Sequence, residues 1–374
     1  MIKFLTSRAP SPRGMANRLV PIALALVSAA GLMSGGSANA GVISLKVDNN
    51  GTVHVPAQAV PISSYLSPQA KAYVTAHLKF MATYATPGTG VPAFMYGYLR
   101  RQEALYPVVR RDVHVGGVHA YEYLPKNGVS PLNRNRVLIE LHGGGFNSCW
   151  PMCAQLESIP IAALGRIRVI AVDYREGPKY RFPAASEDVA AVYRALLKHY
   201  RPRDIGIYGC SAGGMLTAMA AAWFEHVGLP EPGAIGMFCA GAVAPSAAIF
   251  GGDATYTAFP IGEAHMLTPS RPGAKHHPGL SYFDGANPDD PMVAPATSLT
   301  TLAKFPPTLI ITGTRDFAMS AAVYTATRLT EAGVDAELHV WEGLFHGFFY
   351  NPDVPESREC YRVIVGFFNR HLGH

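Results

Sequence analysis

The stretch "YGCSAGG", residues 208–214, decides how the rest of the chain is interpreted. The apolar run "DIGIY" before it is typical of a buried strand, and "MLTAMAAAWF" after it is typical of a helix. Ser211 therefore lies at a sharp strand-to-helix turn, among small residues and glycines. Two interpretations follow: the glycines let a strand pack closely on a helix, or Ser211 is held out as a nucleophile.

The position of Ser211 favours the second interpretation. A G-x-S-x-G sequence alone is a weak signal, because small residues suit any strand-to-helix corner. A nucleophile elbow requires a strand before the serine and a helix after it, and both are predicted here. The strained turn keeps the hydroxyl clear of the sheet, and the helix N-terminus stabilises negative charge that develops nearby.

A nucleophilic serine needs a histidine that takes its proton and an acid that orients the histidine. With such an elbow, the acid and then the histidine follow the serine, each on a loop after a later strand. Asp316 follows the apolar run "PTLIITGTR", and His346 follows "AELHVWEGLF". Taken singly, Asp316 also fits a helix N-cap, and His346 fits a histidine packed beside aromatic residues. The order and placement of all three residues predict a triad.

The glycines of "ELHGGGF", residues 140–146, predict a second part of the site. Ester cleavage passes through a tetrahedral oxyanion, which backbone N–H donors stabilise, and glycines let the backbone approach without a Cβ clash. A flexible turn after a strand is the alternative. We predict that this loop forms an oxyanion hole together with the N–H of Ala212, the residue after the proposed nucleophile.

At this point the chain resembles the hormone-sensitive-lipase family of carboxylesterases within the α/β-hydrolases, over roughly residues 105–374. The motifs that carry the resemblance are, in order, "HGGGF", "AVDYREGPKYRFPAASEDV", "GCSAGG", "YFDGANPDDPMVAP", "FPPTLIITGTRD" and "LTEAGVDAELHVWEGLFHGF". The resemblance implies an α/β-hydrolase core, a mostly parallel sheet flanked by helices, with a mainly helical cap. It also implies ester hydrolysis through an acyl-enzyme, without cofactor or metal, with Ser211 as nucleophile, Asp316 as acid and His346 as base.

The resemblance further implies that the oxyanion donors are on Gly144, Gly145 and Ala212. The chain departs from the family at Cys210, where an Asp commonly precedes the serine, and this changes the charge beside the nucleophile. It departs again after Asp316, where "FAMSA" stands in place of a Pro-Leu-Arg-Asp pattern. Neither departure removes a residue of the triad.

The first forty residues are typical of a secretory signal peptide. They carry four cationic side chains and no Asp or Glu, then an apolar stretch, then an A-x-A sequence that ends at Ala40. The stretch has about fifteen residues, short of the roughly twenty that span a bilayer, so we predict cleavage before Gly41 rather than a retained membrane anchor. Cleavage lowers the formal net charge from +5 to +1, since 5 − 4 = 1, and leaves no basic run that would suggest nucleic acid.

The order of elements predicts three segments. Residues 1–40 are the signal peptide, residues 41–105 an N-terminal cap segment, and residues 106–374 the catalytic domain, with a cap or binding insertion at about 245–300. From about residue 110, apolar strands alternate with helices, which favours a mostly parallel sheet covered on both faces. The stretch "RDVHVGGVHAYEYLP" predicts a hairpin that turns at Gly116 and Gly117.

Several residues have a structural interpretation. Cys149 and Cys153 pair in an oxidising compartment or remain free buried thiols, and the sequence leaves both open. The cysteine spacing predicts no metal site, since no second Cys or His pair matches it. Arg175 and Asp188 are interpreted as a structural ion pair, and His142 as a residue that orients the glycine loop.

The sequence thus predicts an exported serine carboxylesterase, periplasmic or secreted, that acts on short- to medium-chain acyl esters. Its predicted partner is a small-molecule ester, and a homodimer is compatible with such a scaffold. A lactonase, an amidase or a lipase on the same scaffold remain alternatives. A non-catalytic ligand-binding protein is a further alternative, which the complete triad disfavours.

Overall fold

The computed structural model describes residues 44–83, 91–266 and 281–373. The predicted signal peptide therefore lies outside the described residues. The chain divides into two compact units, Met1–Gln58 and Ala59–His374. In the first unit, β1 (Lys46–Val47) and β2 (Val53–His54) form a short antiparallel hairpin, which the sequence patterns did not predict.

The second unit is built around one mixed β-sheet. Its strands in the described residues are β3 (Val108–Val115), β4 (Val118–Pro125), β5 (Val137–Leu141), β6 (Arg168–Val172), β7 (Ile205–Cys210), β8 (Ala234–Phe238), β9 (Thr308–Gly313) and β10 (Ala336–Trp341). The strand order is β10-β9-β8-β7-β5-β6-β4-β3. The strands from β10 to β6 are parallel; β4 pairs with β6 in the antiparallel sense, and β3 pairs with β4 in the antiparallel sense. The sheet is mostly parallel, as predicted.

Helices cover both faces of this sheet. The α-helices in the part of the chain that the structure describes are α1 (Pro68–Thr83), α2 (Ala93–Leu105), α3 (Met152–Gly165), α4 (Ala184–Leu196), α5 (Ala212–His226), α6 (Pro245–Phe250), α7 (Ala258–Glu263), α8 (Leu299–Leu302), α9 (Met319–Glu331) and α10 (Pro355–His371). Short 3₁₀-helices span Pro202–Asp204, Asp253–Thr255, Ser281–Phe283, Pro295–Thr297 and Phe348–Tyr350.

The sheet separates two hydrophobic cores. Side chains of α4, α5 and α9 form the core on one face, and side chains of α1, α3 and α10 form the core on the other. Side chains on the two faces of β7 contribute to different cores. Ile205 and Ile207 belong to the first core, and Tyr208 and Cys210 belong to the second. A central strand buried on both faces explains why "IGIY", residues 205–208, is apolar throughout.

The predicted fold class is confirmed, and so is the hairpin between β3 and β4. Gly116 and Gly117 form its two-residue turn with φ of 62° and 85°. A type I′ turn needs positive φ at both central positions, which glycine adopts without a steric penalty. A Cβ on Gly116 would also lie 2.3 Å from the carbonyl oxygen of Ala191, so α4 packs closely beneath this turn.

The predicted N-terminal cap segment and the predicted insertion both contain helices. In the predicted N-terminal cap segment, α1 begins within the stretch "SPQAKAYVTAHLKFMATY", as expected. In the predicted insertion at about 245–300, α7 packs against α1. The division into a cap and a catalytic domain remains a prediction. No helix among the described residues combines the length and apolar character needed to cross a membrane.

Candidate active site

Ser211 forms the strand-to-helix turn that the sequence predicts. It follows β7 directly and precedes the first residue of α5, with φ 56° and ψ −120°. Positive φ is strained for a non-glycine residue and persists only where the surrounding structure holds it. Two backbone hydrogen bonds do so: the N–H of Ser211 donates to Phe238 at 2.8 Å, and its carbonyl accepts from Met215 at 3.0 Å.

The glycines around Ser211 are required by close backbone packing. A Cβ on Gly209 would lie 2.2 Å from the carbonyl oxygen of Leu141, and a Cβ on Gly213 would lie 1.6 Å from the same atom. No side chain fits at those separations. The first interpretation of "YGCSAGG", close packing at the strand-to-helix corner, is therefore confirmed, whereas the role of Ser211 as a nucleophile remains a prediction.

Asp316 and His346 lie on loops that follow β9 and β10. Nδ1 of His346 is 2.8 Å from Oδ1 of Asp316. Asp316 is fully buried, and its carboxylate also accepts hydrogen bonds from the N–H of Ala318 at 2.9 Å and the hydroxyl of Thr312 at 2.8 Å. These donors hold the carboxylate in one orientation, and the carboxylate in turn orients the imidazole.

The hydrogen bond between His346 and Asp316 shifts the pKa of both side chains. Burial alone would raise the pKa of Asp316, but the charge and hydrogen bond of His346, helped by Ala318 and Thr312, outweigh it and hold that pKa below its usual value. Burial alone would lower the pKa of His346, but Asp316 outweighs it and raises that pKa above 6.5. Because Nδ1–H donates to Asp316, Nε2 is left to accept a proton.

Gly144 and Gly145 lie in the loop after β5. Gly144 has φ 126°, and a Cβ there would lie 1.9 Å from the carbonyl oxygen of Ser148. The carbonyl of Gly144 accepts hydrogen bonds from the N–H of Asn147 and the hydroxyl of Ser148, which closes a compact turn. Gly145 also has positive φ, at 65°, but a Cβ there would make only an ordinary van der Waals contact, 3.8 Å from Oδ1 of Asn147. Both the positive φ and the lack of space for a Cβ therefore require glycine at position 144.

One cavity brings the predicted site residues together. It has a volume of about 620 Å³, within the range of small-molecule binding sites. Ser211, Ala212, Gly144, Gly145 and His346 line it. The rest of its lining is mainly apolar and comes from separate parts of the chain, including Met95, Phe146, Met215, Ile249, Phe317 and Tyr350. The catalytic roles of the predicted residues remain predictions, but the residues share one site.

A disulfide joins Cys149 to Cys153, which decides between the two possibilities that the sequence left open. Both cysteines line the cavity, where the glycine loop meets the start of α3. Cys210, Cys239 and Cys360 are free and buried.

The residues interpreted as structural make the contacts expected of them. Nε of Arg175 donates to Asp188 at 2.9 Å, and the backbone N–H of Arg175 donates to the same carboxylate at 2.8 Å. Nδ1 of His142 lies 2.7 Å from the carbonyl oxygen of Gly143. Burial lowers the pKa of His142 to about 4, so the ring is neutral at pH 7 and donates this hydrogen bond.

Cys239, Asp316 and His346 are the residues whose ligand atoms lie close enough to hold a metal ion, within 4.8 Å of one another among the described residues. Burial raises the pKa of Cys239 well above its usual value, whereas a metal ligand must be a thiolate. The sulfur of Cys239 also accepts a hydrogen bond from the N–H of Gly347 at 3.3 Å. The chemistry of this donor set favours hydrogen bonding over metal ligation.

Sequence analysis missed three residues of the site. Phe317, within the divergent "FAMSA", stacks on His346 with ring centroids 4.2 Å apart. Met95 reaches the cavity from α2, which no sequence pattern singled out. Glu157 lies on α3, and its buried carboxylate contacts the backbone beside Ser211. Its signal in the sequence is an acid within the otherwise mostly apolar run "MCAQLESIPIAALG".

The fold and the arrangement of these residues define an α/β-hydrolase. Residues 138–350, more than half of the chain, match the family described as alpha/beta hydrolase fold, and the chain belongs to that family.

The chain is similar to proteins that are named as acetyl-hydrolases, carboxylesterases or esterases. The chain is 28% identical to an acetyl-hydrolase from Streptomyces hygroscopicus over 279 residues, which cover 74% of this chain and 89% of that protein. It is 30% identical to carboxylesterase/phospholipase LipF from Mycobacterium tuberculosis over 241 residues, 62% of this chain, and spans only 61% of LipF.

The crystal structure of esterase E25 superposes with a TM-score of 0.72 at 25% identity, over 86% of this chain and 99% of E25. An esterase of the bacterial hormone-sensitive lipase family gives a TM-score of 0.65 at 26% identity, over 82% of this chain and 99% of that one. The resemblance to hormone-sensitive-lipase-like enzymes is confirmed, and with it the prediction of an enzyme of the carboxylic-ester-hydrolase class.

Proposed function

We propose that this protein is a serine carboxylesterase in which Ser211, His346 and Asp316 act as nucleophile, base and acid. Nε2 of His346 takes the proton of Ser211 as its Oγ attacks the ester carbonyl carbon. The alcohol leaves with that proton, and an acyl-enzyme remains. Water then loses a proton to His346 and attacks the acyl carbon, which releases the acid and restores Ser211.

In the proposed mechanism, the N–H groups of Gly144, Gly145 and Ala212 stabilise the oxyanion. The removal of one such donor typically costs about 3–4 kcal/mol in the barrier, so three donors account for a large part of the rate enhancement. Asp316 holds His346 in the tautomer that leaves Nε2 free. The observation that carries the proposal is the position of His346, which is bonded to buried Asp316 and lines the same cavity as Ser211.

We further propose that the substrates are uncharged esters with short to medium acyl chains. The apolar lining supports an uncharged substrate, because no Lys, Arg, Asp or Glu lines the cavity among the described residues. A volume of about 620 Å³ suits a small ester. Met95 on α2 and Ile249 on α6 line the cavity. This supports the assignment of the N-terminal cap segment and the insertion at about 245–300 to a cap over the site.

The test is hydrolysis of p-nitrophenyl esters from acetate to palmitate by the purified protein and its Ser211→Ala variant. We expect rates that fall with chain length and a loss of at least a thousandfold in the variant. A maximum at long chains would indicate a lipase instead. A folded protein that hydrolyses none of the esters would contradict the proposal and favour a lactone, an amide or a binding role.

We also propose export to the periplasm or the medium. The disulfide between Cys149 and Cys153 supports it, because such bonds persist in oxidising compartments. Mass spectrometry of the protein recovered outside the cytoplasm should give a chain that begins at Gly41. A chain that retains residues 1–40 in the cytoplasmic fraction would contradict this.

A further inference from the structure

Glu157 bonds to three segments that carry or flank proposed catalytic groups. Its Oε1 accepts hydrogen bonds from the backbone N–H of Gly143 at 3.1 Å and the hydroxyl of Tyr350 at 2.7 Å. Its Oε2 accepts from the backbone N–H of Cys210 at 3.1 Å. Gly143 begins the glycine loop, Cys210 precedes Ser211, and Tyr350 lies on the segment after the proposed base.

Glu157 places an acidic side chain beside an elbow that itself has none. Cys210 stands where the resembling family commonly has an Asp, and its buried thiol carries no charge because burial raises its pKa. Glu157, only 3% exposed, supplies an acidic group to the same backbone from the neighbouring helix α3. No cation is bonded to its carboxylate among the described residues; its partners include the neutral donors of Gly143, Tyr350 and Cys210.

A second acid, Glu140 on β5, lies beside Glu157. Burial and the proximity of Glu157 raise the pKa of Glu140 well above its usual value, whereas hydrogen bonds from Glu140, Tyr350 and the backbone N–H groups of Gly143 and Cys210 limit the rise for Glu157 to a pKa of about 7. Glu140 therefore keeps its proton when Glu157 is ionised. The other titratable groups of the described residues that face this pair are Cys210, Tyr123, Tyr174, Tyr208, Tyr350 and His346.

We propose that Glu157 is a positioning residue that sets the distance between the oxyanion loop and the nucleophile by accepting the N–H of Gly143 on one oxygen and the N–H of Cys210 on the other. This inference rests on the proposed esterase function. Its effect is local, because a Cβ on Gly143 would lie 3.4 Å from the Cβ of Ser211, so the two loops are already in near contact. A shift of about 1 Å between such groups lowers a rate by roughly a hundredfold.

The substitution Glu157→Gln isolates this role. Glutamine has the same shape but only one acceptor oxygen, so one of the two backbone N–H groups would face an NH₂ group and lose its bond. Glu140→Gln is the matched control, because it mimics the neutral form of an equally buried neighbouring acid and its NH₂ group can still donate to the Glu157 carboxylate.

The experiment measures kcat, KM and the inhibition constant of a trifluoromethyl ketone for the full-length protein and both variants, with active sites counted by titration. Such a ketone adds to a serine hydroxyl, and its oxyanion occupies the same hole as the transition state. For Glu157→Gln we expect kcat about tenfold to a hundredfold lower, KM within threefold, and an inhibition constant raised by about the same factor as kcat falls. Glu140→Gln should stay within twofold throughout.

The outcomes separate this inference from the proposed function. A Glu157→Gln protein whose counted sites keep the normal kcat and inhibition constant would overturn the inference, even if fewer sites were folded. Equal losses in both variants would also overturn it, because they would indicate a general effect of the acid pair. If the unsubstituted protein neither hydrolyses esters nor binds the ketone, the proposed function fails and the inference fails with it.

Discussion

Nδ1 of His346 lies 2.8 Å from Oδ1 of Asp316, and this contact raises the pKa of His346 above 6.5 despite burial. His346 acts as a base only when it is neutral. A raised pKa of His346 therefore moves the acid limb of the pH–activity profile to higher pH. We predict that kcat/KM falls on the acid side with a midpoint above 6.5, measured from about pH 5 to pH 9.

Asp316→Asn should move that midpoint down, since the charge that stabilises the imidazolium is lost, and should lower kcat about 10³–10⁴-fold through the wrong tautomer. The same midpoint in both proteins would contradict the assignment of Asp316 as the orienting acid. Thr312→Val serves as a milder control, because it removes one hydrogen bond to the carboxylate and leaves its charge.

Gly144 and Gly145 provide a second, paired prediction within one loop. A Cβ on Gly144 would lie 1.9 Å from the carbonyl oxygen of Ser148, whereas the nearest atom to a Cβ on Gly145 is 3.8 Å away. Gly144→Ala must therefore displace the loop, and we expect a loss of kcat of about a hundredfold or more, with a lower melting temperature. Gly145→Ala bears only the cost of positive φ, about 1 kcal/mol, and should retain most of the activity. Equal effects in the two variants would contradict this view of the loop.

The sequence predicted which residues lie together at the site because its signals are local. Ser211 stands between a strand and a helix that each have a clear apolar pattern, and Asp316 and His346 each follow a strand of the same kind. The sheet brings such positions together at the ends of its parallel strands, so their order along the chain was informative about their positions in space. The glycine loop follows β5 for the same reason.

The sequence did not predict α3 and therefore did not single out Glu157. This helix is buried along nearly its whole length and contains Pro160, so it has neither an amphipathic period nor the composition of a typical helix. The shape of the cavity was also not predicted, because Met95 and Ile249 come to line it together with Ser211 only through tertiary packing. Tyr350 was likewise missed, because its role depends on a contact with a residue 193 positions away.

The ion pair between Arg175 and Asp188 should affect stability and leave catalysis unchanged. Asp188 is 11% exposed in its side chain and accepts both the guanidinium and the backbone N–H of Arg175. We expect Asp188→Asn to lower the free energy of unfolding by about 2 kcal/mol, measured by urea denaturation, with kcat within twofold. Glu187→Gln is the control, because Glu187 pairs with the same arginine at 50% exposure and should cost less than about 0.5 kcal/mol. A lower kcat at unchanged stability would indicate a catalytic role for Asp188.

The disulfide between Cys149 and Cys153 supports the last prediction. It closes a loop of only four residues in sequence separation, so the chain-entropy contribution is small, about 2 kcal/mol. Its position matters more, because both cysteines line the cavity beside Gly144 and Gly145. We expect the double variant Cys149→Ser/Cys153→Ser to melt a few degrees lower and to lose activity severalfold, as the glycine loop becomes less restrained.

A phosphine reductant provides the control for this prediction. It should bring the unsubstituted protein to the melting temperature and kcat/KM of the double serine variant, and it should leave that variant unchanged, because the remaining cysteines are free thiols. A reductant effect of equal size on the double variant would show that the change arises elsewhere. Full activity in the double variant would show that the glycine loop keeps its conformation without the disulfide, and that the hydrogen bonds of Gly144 with Asn147 and Ser148 are sufficient to hold it.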